Sequence, residues 1–143
     1  MGLIRSGNTD ILVEDDKSLE EYLWPILKEM VKTAIENKQN LIVEGSYIPF
    51  SWQDDFSSEY LSFIRFIPIV FSEMYIRDHF EVIERYASVI EDRLDDSYIT
   101  KSYLIKENNY YEEGFVLHKH EYIKVVSNYK KDVFCSEIIK SLL

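Results

Sequence analysis

Between Glu73 and Leu94 the apolar residues Ile76, Phe80, Ile83, Ala87, Ile90 and Leu94 recur every three or four positions, and the opposite face is charged. This spacing predicts a helix with one apolar face, which needs a second layer to bury it. The material for that layer is three short apolar runs: Leu41-Ile42-Val43, Phe66 to Phe71 and Tyr122 to Val126. Short apolar runs that alternate with helices read as buried parallel strands joined by crossovers. The fold class expected is therefore α/β, with a short parallel sheet flanked by helices. Pro68 sits badly in the middle of a central strand, because proline has no amide to donate.

The remaining elements follow from the same patterns. Leu19, Leu23, Ile26, Leu27, Met30, Ala34 and Ile35 predict a helix from about Leu19 to Lys38. Ser18 and Glu21 have capping-box spacing at its start, and Pro25 should kink or restart it. Ser46 to Phe56, with Pro49 and bulky aromatics, reads as a loop, and Ser58 to Ile64 as a short helix. Asp95-Asp96-Ser97 ends the long helix. Thr100 to Leu117 forms another, weakened near its end by Gly114. Asp132 to Leu142 is a closing helix. Met1 to Asp10 is polar loop, and the state of Ile11-Leu12-Val13 is open. With no repeat and no Gly/Ser linker, residues 1–143 are expected to form one domain.

Composition narrows the function classes. A net charge of −10 repels phosphate backbones, so general nucleic-acid binding is disfavoured. The single cysteine, Cys135, allows no intrachain disulfide and reads as a small core residue. No signal-peptide core opens the chain, and no apolar run approaches the ~20 residues of a membrane helix. The expectation is a cytoplasmic protein without a membrane or nucleic-acid partner.

Several motifs carry candidate chemistry. Gly2-Leu3-Ile4-Arg5-Ser6-Gly7-Asn8-Thr9 has P-loop spacing, but Asn8 stands where the lysine belongs. Neither a preceding strand nor a following helix frames it, so chance spacing is the better account. Glu44 ends the Leu41 run, where ligands of open parallel sheets sit, and could take a proton from a substrate hydroxyl. A helix cap or surface ion pair is the plainer reading of the same carboxylate. Arg77, Arg85 and Arg93 fall along one helix and suit phosphate recognition. Arg77, Glu81 and Arg85 also form an i, i+4 ladder that merely solvates the helix, and that reading is favoured for Arg77. His118-Lys119-His120 lacks a third metal ligand and reads as an exposed helix-to-strand turn.

The stretch from Asn40 to Phe50, with Leu41-Ile42-Val43-Glu44-Gly45-Ser46-Tyr47-Ile48-Pro49, resembles the third strand of adenylate-kinase-like P-loop kinases, closest to the 2-phosphoglycerate kinase and small-molecule kinase branch. Ile67 to Ser72 resembles the fourth strand, Tyr75 to Arg93 the arginine-bearing lid region, and Tyr122 to Val126 the fifth strand. Asp132 to Leu142 is similar to the final helix. Arg5 to Asp10 looks like the substrate-side segment after the second strand. The resemblance implies a partial P-loop kinase-like three-layer fold from which the first strand and the P-loop (Walker A) are absent. Glu44 would face the phosphoryl acceptor as the catalytic carboxylate. Arg5, Tyr47, Arg85 and Arg93 would bind substrate, the last two arginines from the lid.

The resemblance further implies a truncated or degenerate kinase. An intact form would move a phosphoryl group from ATP to a small hydroxyl or phosphate acceptor. The chain alone is expected to use no cofactor and no metal; ATP and Mg enter only if the missing P-loop segment is supplied. The alternative is a non-catalytic protein-interaction or ligand-binding module derived from the kinase fold. In the family the first strand lies between the third and fourth, so its loss leaves two edges facing a gap. A second copy of the chain or a complementing chain is therefore an expected partner, beside a small phosphorylated or hydroxyl substrate.

Overall fold

The computed structural model describes residues 16–87 and 99–126. The chain divides into two compact units between Ile64 and Arg65. Together they make a mixed structure of helices with one short parallel sheet, broadly α/β.

In the first unit, helix α1 spans Asp16–Glu36, a 3-10 turn covers Trp52–Asp55, and the one-turn helix α2 spans Ser58–Leu61. Helix α1 is already formed at Asp16, so Ser18 lies inside it rather than capping it. Pro25 is also inside and does not restart it. One lost amide bond is a local cost, and the buried Leu19 and Ala34 on either side anchor the helix to the unit's core. Trp52 and Phe56 complete that core, their rings edge to face at 6.0 Å.

Leu41-Ile42-Val43 does not form the expected strand. Its backbone joins no ladder, and Ile42 is 93% exposed. A β-branched run supplies propensity, but a strand exists only through its pairing, and these residues have no paired neighbour among the described residues.

In the second unit, β1 (Ile69–Phe71) pairs in parallel with β2 (Ile123–Val125), with Ile69 opposite Ile123 and Phe71 opposite Val125. The crossover between them contains helix α3 (Glu73–Ala87) and helix α4 (Lys101–Leu117). Pro68 falls just before β1, where only its carbonyl is needed, and it accepts the Ile123 amide at 2.9 Å. The core holds Val70, Tyr75, Ile76, Phe115 and Val125. Phe115 gathers Phe66, Tyr111 and Tyr122, with ring centroids 6.1–6.2 Å away. Thr100 caps α4, its hydroxyl accepting the Tyr103 amide at 3.1 Å, and the helix runs through Gly114 to Leu117. The end of the long helix beyond Ala87, the closing helix, Cys135, the Gly2–Thr9 run and the Ile11–Val13 run lie outside the described residues. No helix among the described residues is long and apolar enough to cross a membrane.

Candidate functional site

The carboxyl end of β1 passes directly into α3 through Ser72. Its amide donates to the Val125 carbonyl at 2.9 Å, and its hydroxyl accepts the Tyr75 amide at 3.1 Å. One residue thus closes the ladder and caps the helix, which fixes how α3 leaves the sheet. Phe71, Tyr75 and His79 then stack in sequence, with centroids 5.0 and 4.3 Å apart.

Arg85 lies in the last turn of α3 and is exposed. A cation there complements the helix dipole. Arg77 pairs with Glu73, Nη2 to Oε1 at 2.6 Å, one turn back, rather than with Glu81 ahead of it. The solvating role favoured for Arg77 stands, with the opposite partner. Arg5 and Arg93 lie outside the described residues.

Glu44 and Tyr47 share one loop of the first unit. Glu44 is exposed and does not sit at a strand end, because the strand it was expected to terminate is not formed. Tyr47 is half-buried. Gly45 between them has φ +157°, and a side chain there would meet the Tyr47 ring at 3.4 Å, so glycine lets the tyrosine fold back over the chain.

Two carboxylate clusters escaped the sequence reading. Asp55 accepts from Trp24 Nε1 at 2.7 Å and from Lys28 Nζ at 2.8 Å. The Lys28 bond first, and the Trp24 bond second, hold its carboxyl below the usual aspartate range. Lys32 reaches over the Phe56 ring, 5.9 Å from its centroid. The clue was Trp24, Lys28 and Lys32 at steps of four along one helix stripe. In the second unit, Glu112 accepts from Lys124 at 2.7 Å and from the Tyr122 hydroxyl at 2.8 Å. Lys124, then Tyr122, lower its pKa, and the same bond raises that of Tyr122. The cluster ties α4 to β2.

His118 and His120 come together despite the turn between them. Lys119 adopts φ 58°, which sets the two rings parallel with centroids 6.3 Å apart. Among the described residues no group of three or more His, Cys, Asp or Glu is placed to hold a metal ion. No family model, curated protein or solved structure matches this chain.

Proposed function

We propose that the chain is the acceptor-side part of an adenylate-kinase-like P-loop kinase, whose substrate is a small hydroxyl or phosphate compound. The observation that carries this reading is the pairing of Ile69–Phe71 with Ile123–Val125. Both strands assigned to the later half of such a kinase form. They run in parallel, and the helix bearing Arg85 lies in the crossover between them.

In this reading Glu44 orients the acceptor and takes the proton of its hydroxyl. Tyr47 and Arg5 hold the acceptor's body, and Arg85 and Arg93 offset charge on the transferred group. The residues present do not make a cradle for ATP. The one run with P-loop spacing carries Asn8 in place of lysine. Phosphoryl-donor chemistry therefore belongs to a P-loop segment outside these residues.

Calorimetry with ATP and magnesium tests this division: the isolated chain should give no binding heat at micromolar concentrations. A dissociation constant in the low micromolar range would overturn it and return attention to Gly2–Thr9. The positive test is to supply a P-loop segment in trans and look for phosphoryl transfer.

A second reading, a non-catalytic interaction or ligand-binding module, is favoured by one observation. Leu41 and Ile42 are 43% and 93% exposed beside an exposed Glu44, an apolar surface a partner could cover. Failure of every P-loop segment to restore transfer, with the fold intact, would select it.

A further inference from the structure

In a parallel ladder the amide and carbonyl of successive residues face alternate sides. The groups of β1 that face β2 belong to Pro68, Val70 and Ser72, as the Ile123-to-Pro68 and Ser72-to-Val125 bonds show, both at 2.9 Å. Ile69 and Phe71 therefore face the outer edge. There the Phe71 amide donates to Asn108 Oδ1 at 2.7 Å, while Asn108 Nδ2 donates to the Leu104 carbonyl at 2.9 Å. The side-chain amide of Asn108 stands where the carbonyl of a third strand would stand.

We propose that Asn108 closes the outer edge of β1 against strand addition, and that a second copy of this chain, pairing β1 to β1 antiparallel, takes its place when Asn108 is withdrawn. The second copy fits because the edge is complementary to itself. A two-fold axis at Ile69 sets Ile69 opposite Ile69 and Ile67 opposite Phe71, so outward donors meet outward acceptors. It also brings Arg65 of each copy to the level of Glu73 of the other, four residues either side of Ile69, with no charge between. Ile69, 44% exposed, adds apolar contact at the centre. Asn108 has this role whether or not the chain is a kinase. It makes the self-association expected from open strand edges conditional on one side chain.

The test uses the full chain, with sedimentation velocity over a concentration series and residue-resolved hydrogen exchange. In the unaltered protein the Phe71 amide should exchange at least about tenfold more slowly than the outward Ile69 amide. N108A should lose the Phe71 protection and dimerise about tenfold more tightly, the scale of one lost hydrogen bond. N108D keeps an acceptor for Phe71 and should behave as the unaltered protein. N108A with I69K should return to monomer, since a lysine on the edge blocks pairing. Three results overturn the proposal: equal exchange at Phe71 and Ile69 in the unaltered protein, an N108A chain that loses protection without dimerising more tightly, or dimers that survive I69K. If N108A does not fold, N108D and the exchange comparison decide: an N108D chain that dimerises also overturns it.

Discussion

Asp55 is the acceptor for two donors from one helix, Trp24 and Lys28, so its ionised form is worth more to the folded state than to the unfolded chain. The sign follows from the lowered pKa. The stabilisation is fully present above the ordinary aspartate value of 3.8 and is lost as pH falls through the folded value. We predict that D55A costs about 1 kcal/mol at pH 7, a charge-assisted bond discounted for partial exposure. The stability gap between D55A and the unaltered protein should shrink as pH drops below about 4. Urea unfolding followed by tryptophan emission measures both, and a gap independent of pH would assign the bond to geometry alone. D55N, which keeps an acceptor for Trp24, should fall between the two. Glu44 makes the contrasting case, an exposed carboxylate whose replacement should leave folding unchanged. In a chain complemented with a P-loop segment, E44Q should lower kcat by about 10²-fold, the scale of a positioned acid–base group. Unaltered turnover would remove Glu44 from the chemistry.

Helices α1 and α4 end in the same way, and neither uses glycine. Lys38 has φ 55° and Lys119 φ 58°. After each, the next amide reaches back five residues, Gln39 to Ala34 and His120 to Phe115, both at 2.8 Å. The lysines' own amides bond three residues back, to Ile35 and Val116. This cap places its left-handed residue where a side chain costs ~1–2 kcal/mol and glycine costs nothing on that account. K38G and K119G should therefore each stabilise the protein, by about 0.5–1 kcal/mol after glycine's greater unfolded entropy is subtracted. Thermal melts decide, and a loss of stability in either would mean that the lysine side chain contributes more than its backbone strain costs. The same elements show what could be read from sequence. Apolar periodicity located the ends of α1 and α4 to within two residues, and the run containing Ile123 to Val125 announced β2. Periodicity is a local property of each helix. Leu41–Val43 failed because an apolar run cannot state whether a neighbour exists to pair with it. Asn108 and Asp55 were invisible for a related reason: each acts on a residue more than thirty positions away, and no spacing rule reaches that far.

At the scale of the molecule, the division between Ile64 and Arg65 separates two small cores. One is built on Leu19, Ala34, Trp52 and Phe56, the other on Val70, Tyr75, Ile76, Phe115 and Val125. Cores of this size confer modest stability, so each unit should respond sharply to a cavity of its own. The chain provides a convenient reporter, because both of its tryptophans, Trp24 and Trp52, lie in the first unit. Ile76 is fully buried in the second unit, and I76A should cost about 2–5 kcal/mol there. We predict that I76A lowers the first step of a circular-dichroism melt, while the tryptophan-fluorescence melt keeps the midpoint of the unaltered protein. L19A, which opens a cavity at a fully buried site in the first unit, should shift the tryptophan midpoint directly. If I76A instead moves both signals together in a single transition, the two units unfold as one cooperative body, and stability belongs to the whole chain rather than to either core.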